Sequence, residues 1–199
     1  MRKQNMRISM RIFGLLLGLF LLATSSVAEI IAPLAKVQAT IESCQSAVRA
    51  KKSQLSEEQL KKELEVIIRP VFDFREMAKR CLGSNWADGK PEQQEEFVSL
   101  FSELLARTYL NKIIKGIEDS TFSYPENRVE KDRAIVMTQI KNNDEKIAID
   151  YRLFLKDNSW LIYDVIIENV GLVSNYRAEF SAIIRKEGYE GLLERLRKK

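Results

Sequence analysis

Apolar residues recur every three or four positions through the first half of the chain, then every second position, then every three or four again. Val37, Ile41, Cys44 and Val48 form one helical stripe, which predicts a helix over 33–50. Leu60, Leu64, Ile67 and Ile68 predict a second over 55–68, with Ser56 as N-cap, Glu58 in its first turn and Pro70 as its stop. Phe74, Met77, Ala78, Cys81 and Leu82 predict a third over 72–82, closed by Gly83. Pro91 opens a long helix over 91–116, whose apolar face carries Phe97, Leu100, Phe101, Leu104, Leu105, Tyr109 and Ile113. At Thr121 the period drops to two. Strands follow over 121–129, 133–140, 146–156 and 159–169, and Pro125 sets the first at an edge or a bend. The last two form a hairpin through Lys156, Asp157 and Asn158. Helix returns over 172–186, Gly188 breaks it, and a short helix fills 189–199. Helices segregated from consecutive strands specify an α+β fold with an antiparallel sheet of about four strands.

The strands have unequal faces. In 146–156, Ile147, Ile149, Tyr151, Leu153 and Leu155 share one side, while Ala148, Asp150, Arg152 and Phe154 share the other. Strict alternation in 159–169 groups Trp160, Ile162 and Ile166 with Asp164 and Glu168, against Leu161, Tyr163, Val165 and Ile167. The apolar face must be covered by the helices. Periodicity serves a packed core and a ligand cavity equally well.

The beginning of the chain changes the charge picture. Arg2, Lys3, Arg7 and Arg11 precede an apolar run over 12–23, and Ser26-Val27-Ala28 supplies small residues for cleavage. That layout predicts a secretory signal peptide cut after Ala28, leaving 29–199 as one domain in a periplasmic compartment, with an uncleaved membrane anchor as the alternative. The run is shorter than the roughly 20 residues that span a bilayer. The chain carries 32 basic and 28 acidic residues, a net charge of +4. The leader's four basic residues account for all of that excess, so the charge gives no footprint for nucleic acid. A basic bias remains over 185–199, serving a solvated helix end or an anionic partner. Cys44 and Cys81 are either a disulfide, which an oxidising compartment permits, or two buried free thiols on apolar helix faces.

Little here points to catalysis. The sequence holds no histidine, which removes Ser-His and Cys-His pairs and histidine metal sites. It shows no glycine-rich phosphate loop and no CxxC, so neither cofactor nor metal is expected. Asp150 and Asp164 fall near each other across the hairpin. They are an acid–base pair if one is held protonated, or structural partners of Arg152, Arg177 or backbone N–H groups. In YDVIIENVGLVSNYRAEF, residues 163–180, a strand runs into a helix through Asn169 and Gly171. Asp164, Asn175 and Arg177, with Asp150, read best as a polar frame for that joint, with Asn175 as a candidate helix cap.

Four stretches carry a family resemblance: VFDFREMAKRCLGSNW at 71–86, PEQQEEFVSLFSELLARTYLNKI at 91–113, IDYRLFLKDNSWLIYDVIIENVGLVSNYRAEF at 149–180 and GLLERL at 191–196. In content and order they resemble the MlaC family of periplasmic phospholipid-binding proteins, also called the toluene-tolerance auxiliary family. The chain departs from the usual pattern at Cys81, Lys90 and Asn169. The resemblance implies a nuclear transport factor-like fold, in which a curved antiparallel sheet and helices enclose a deep apolar cavity. It implies a phospholipid held with its acyl chains inside and its head group at the mouth. It implies a shuttle between an outer-membrane lipoprotein–porin complex and an inner-membrane ABC transporter, maintaining outer-membrane lipid asymmetry. On that reading the candidate lipid-binding residues are Phe74, Met77, Phe97, Leu100, Phe101, Leu104, Tyr109, Ile149, Tyr151, Leu153, Val165, Ile167, Val173, Tyr176 and Phe180. Three other readings stay open. A hopanoid or other lipid replaces the phospholipid; an Asp-based enzyme requires Asp150 or Asp164 to face the cavity; a lipid-free adaptor requires a filled core.

Overall fold

The computed structural model describes residues 32–142 and 145–198. The expected leader lies outside them. Among the described residues, five helices and five strands follow in the order α1 (Pro33–Lys51), α2 (Glu57–Ile68), α3 (Phe74–Leu82), α4 (Pro91–Gly116), β1 (Thr121–Glu130), β2 (Arg133–Asn142), β3 (Glu145–Lys156), β4 (Ser159–Ile167), β5 (Val170–Gly171) and α5 (Leu172–Arg197). Short 3-10 turns at Arg69–Val71 and Gly83–Asp88 flank α3.

Local chemistry accounts for the helix starts. Ser56 Oγ accepts from the Gln59 N–H, and the Gln59 side chain accepts from the Ser56 N–H, a reciprocal box worth on the order of 1 kcal/mol. Asp73 caps α3 by accepting from the Glu76 N–H at 2.8 Å, and it also receives the Lys156 ammonium at 2.9 Å. At the head of α4, Pro91 needs no donor and Gln93 accepts from the Lys90 N–H.

The sheet is an open antiparallel meander, β1-β2-β3-β4-β5. Asp157 and Asn158 take positive φ in the two-residue turn joining β3 to β4. Glu168 and Asn169 do the same, with φ of 49° and 66°. Their turn folds Val170 and Gly171 back onto β4 as a short fifth strand, where periodicity showed only the end of a strand.

A bulge in β4 corrects the face assignment. Arg152 lies opposite Asp164, but Leu153 lies opposite Ile162, so Tyr163 is an extra residue. The bulge resets the alternation. Trp160 and Ile162 before it, and Val165 and Ile167 after it, all stand opposite the apolar row Leu155, Leu153, Tyr151 and Ile149. A strict period of two had split these four between faces. Tyr163 and Asp164 are left opposite Arg152, beside Phe154 on the other side.

The helices build two apolar clusters. One joins α3, α4 and α5 to the sheet around Phe97, Phe101 and Phe180, all fully buried. The smaller one joins α1, α2 and the end of α4 around Val48, Leu64 and Ile114. Cys81 belongs to the first cluster and Cys44 to the second, and both are free thiols. The disulfide left open by the sequence is not formed. The helix break at Gly188 is a kink with φ of 73°, in the left-handed region that favours glycine. Beyond it Tyr189, Leu192, Leu193 and Leu196 are buried. The basic end of the chain is largely paired at home: Arg195 bonds Glu187, while Arg197 bonds Glu96 and Glu190.

An apolar cavity as the candidate functional site

The second half of α4, the stripe of α1 and the apolar face of β3 and β4 do not close on one another. They leave a cavity of about 960 Å³, at the upper end of the roughly 300–1,000 Å³ usual for ligand pockets. Each wall follows from a sequence period. Val37, Ile41 and Cys44 come from successive turns of α1, and Leu105, Tyr109 and Ile113 from successive turns of α4. Ile147, Ile149 and Tyr151 are every second residue of β3, and the bulge brings Ile162, Val165 and Ile167 to the same wall from β4.

Among the described residues, the charged lining is confined to the rim. Arg69, Lys112, Lys115, Glu145 and Glu168 line the cavity and are solvent-exposed, with Glu65 half-buried beside them. The Glu168 carboxylate accepts from the Ala148 N–H. Arg69 lies over the Phe74 ring at 5.8 Å and Lys112 over the Tyr109 ring at 5.5 Å. Among the described residues, Arg69, Lys112 and Lys115 take no part in an ion pair within 4.0 Å, so their charges remain available to an anion.

Of the candidate lipid-binding residues, Phe74, Met77, Tyr109, Ile149, Tyr151, Val165 and Ile167 line the cavity. Phe97, Leu100, Phe101, Leu104, Leu153, Val173, Tyr176 and Phe180 do not; they belong to the packed core or lie against it. Phe97 and Phe101 stack at 5.7 Å, and Phe180 meets both edge-on at 5.5 and 5.7 Å. Periodicity had no means of separating these two sets, because both lie on the same stripes. It also passed over Val37, Ile41 and Cys44 as wall residues, although their spacing had marked the stripe.

The polar frame divides. Asp164, 5% exposed, accepts from the Val173 N–H at 3.1 Å and faces Arg152 at 3.4 Å. It therefore serves the free N-terminus of α5, whose own N-cap is Gly171 with no side chain to offer. Arg177 reaches neither aspartate and donates from Nε to the Arg80 carbonyl at 2.7 Å, tying α5 to α3. Asn175 does not cap the helix; it is exposed and lines the cavity. Asp150 is half-buried on the outer face of the sheet, and burial raises its carboxyl above the usual range against the pull of Arg152. Neither aspartate lines the cavity.

The buried thiols are poor nucleophiles. Burial pushes Cys44 up to about 11, and burial with the nearby Asp164 charge pushes Cys81 up to about 12. Burial, then the neighbouring Tyr176, pushes the Tyr109 phenol up to about 12. Among the described residues no group of three or more Cys, Asp or Glu is placed to hold a metal ion. The arrangement as a whole is a container with a charged rim.

A family model described as MlaC protein matches residues 38–198. This chain belongs to the MlaC family. A solved structure agrees: the phospholipid-binding protein from Ralstonia solanacearum in complex with a phospholipid superposes with a TM-score of 0.77 at 26% identity. The match covers 83% of this chain and 94% of that one. The family's α+β architecture is the one described above, with an antiparallel sheet that does not close.

Proposed function

We propose that this MlaC-family protein is a periplasmic phospholipid carrier. The observation that carries the reading is the cavity of about 960 Å³, lined mainly by apolar side chains, with its charged lining residues, among those described, where it meets solvent. Its relative from Ralstonia solanacearum, solved with a phospholipid, supports the choice of ligand. Acyl chains occupy the space between α1, α4 and the sheet, and the phosphate lies among Arg69, Lys112 and Lys115. Residues 29–199 form one lipid-binding domain behind a leader cut after Ala28. The carrier moves lipid between an outer-membrane lipoprotein–porin complex and an inner-membrane ABC transporter, and so maintains outer-membrane asymmetry.

The energetics favour this design. Two acyl chains of about 30 methylenes in all are worth on the order of 25 kcal/mol against water. A bilayer already supplies that gain, so a carrier competes only if it encloses nearly all of the tails. The adaptor reading required a filled core, and the cavity argues against it. The enzyme reading required an aspartate facing the cavity; Asp150 lies on the outer face and Asp164 is engaged with Val173 and Arg152.

Native mass spectrometry of protein purified from its periplasm, followed by solvent extraction, tests the proposal. The expected result is a co-purifying phospholipid. Recovery of a hopanoid would move the ligand class. A protein that is empty, and stays empty after incubation with phospholipid vesicles, would sink the carrier reading.

A further inference from the structure

Tyr151 is the last residue of β3 to line the cavity; Leu153, two residues on, is fully buried core. It stands between Val136 and Val165 on an otherwise aliphatic wall. Three residue steps along the strand take it from Ala148, which pairs with Glu168 at the rim, so it lies about 10 Å inside. Among the described residues its hydroxyl has no hydrogen-bond partner. The ionisable groups near enough to act on it are Tyr124 and Cys44, and it bonds to neither; burial is what chiefly holds the phenol well above its ordinary range. The sealed polar atoms without a partner, among the described residues, are Asn111 Oδ1 and Tyr189 Oη. The Tyr151 hydroxyl is not one of them. It is not sealed, and it belongs to a residue that lines the cavity, so it is an unpaired donor open to a mainly apolar space.

A donor in that position costs free energy unless something accepts from it. Ordinary acyl chains offer no acceptor along their length. The group of a phospholipid that joins tail to head, and that is the first acceptor below the phosphate, is the ester carbonyl. We infer that the Tyr151 hydroxyl donates to an ester carbonyl oxygen of the bound lipid, and so makes the cavity selective for diacyl over dialkyl-ether lipids. Tail burial supplies affinity for both kinds alike, since their methylenes are the same. Only the ester satisfies the buried donor, and a site built around a hydrogen bond rejects the analogue that lacks it. The inference rests on the carrier reading.

The test is competition between diacyl and dialkyl-ether phosphatidylglycerol of matched chain length. Both are offered from the same vesicles to the delipidated full-length protein and to Tyr151→Phe, and bound lipid is counted by native mass spectrometry. The wild type is expected to favour the diacyl lipid about fivefold to tenfold, and Tyr151→Phe to take the two within about twofold of each other. Phenylalanine keeps the ring that fills the wall, and a thermal unfolding curve checks that the variant is folded. Equal uptake of the two lipids by the wild type overturns the inference, as does a preference unchanged in Tyr151→Phe. Either outcome leaves the carrier reading standing. Failure of the wild type to take up either lipid defeats the carrier reading itself, and the inference with it.

Discussion

The two halves of α4 carry the same kind of residue at the same spacing and meet opposite fates. In the first half, Phe97 and Phe101 are fully buried, sealed by Phe180 and by Tyr176, whose ring meets Phe101 edge-on at 5.4 Å. In the second half, Leu105, Tyr109 and Ile113 line a void. The helix is amphipathic throughout, so its own sequence does not decide between core and cavity. The decision lies with the element opposite. α5 packs closely on α4 and its aromatic side chains reach across, whereas α1 and the β3–β4 face stand back from α4, and their mostly aliphatic side chains leave the gap open. A cavity is thus an apolar stripe whose partner is held away by the rest of the fold.

The comparison breaks most visibly by truncating an aromatic in the sealed half. Phe101→Ala is expected to lower unfolding free energy by about 3–5 kcal/mol, measured by urea denaturation, while lipid bound per folded molecule stays near the wild-type value. A charge on the cavity wall should do the reverse. Ile149→Glu is expected to cut retained lipid by at least about tenfold, because a carboxylate among acyl chains is left unsolvated and unpaired. In the lipid-free protein that carboxylate meets water in the cavity, so the urea midpoint should move little. If Ile149→Glu destabilises the lipid-free protein as much as Phe101→Ala does, the two regions are one core and the distinction fails.

The sequence made the helices and the main strands legible because each rests on a local signal. Ser56, Pro91 and Gly188 act within a turn of themselves. The β4 bulge was not legible, since it is defined by a partner strand: Tyr163 is surplus only relative to Arg152 and Leu153. The fifth strand escaped for a similar reason. Val170 and Gly171 are too short to show a period, and Glu168-Asn169 carries no glycine to announce a turn. At the site, apolar stripes located the candidates, but seven of fifteen line the cavity, because separating wall from core requires the distance between elements. Family resemblance supplied the expectation of a cavity; the placement of its walls comes from the structure.

A smaller effect tests the joint that spans the two regions. Asp73 caps α3 and takes the ammonium of Lys156 from the β3–β4 hairpin. Burial alone would raise its carboxyl, but Lys156 and the N–H groups of Glu76 and Arg75 outweigh that and hold it below the usual range. A carboxyl depressed in the folded state stabilises above its unfolded value, near pH 4, and that contribution is lost as pH falls through the folded value. Stability should therefore drop on acidification below about pH 4. Asp73→Asn keeps an acceptor for the cap but loses the charge, and should show a shallower drop in thermal midpoint over the same interval. Equal slopes in the two proteins would assign the acid sensitivity elsewhere.

The smallest expected change is the sharpest on the comparison, because the same atom is deleted from each region. Tyr189 Oη is sealed against the loop at Gly89 and has no hydrogen-bond partner; a Cβ on Gly89 would come within 2.5 Å of the Tyr189 ring. The ring is needed there and the hydroxyl is a burden, since a buried donor without an acceptor forfeits its hydration. Tyr189→Phe should raise the unfolding free energy by up to about 1 kcal/mol. Tyr151→Phe removes the same group from the cavity wall, where the hydroxyl keeps access to the void. In the lipid-free protein it should leave the urea midpoint unchanged. A gain from Tyr189→Phe with none from Tyr151→Phe is what a sealed core and an accessible cavity require. Equal gains would mean that the Tyr151 hydroxyl is sealed as well, and that the cavity ends short of it.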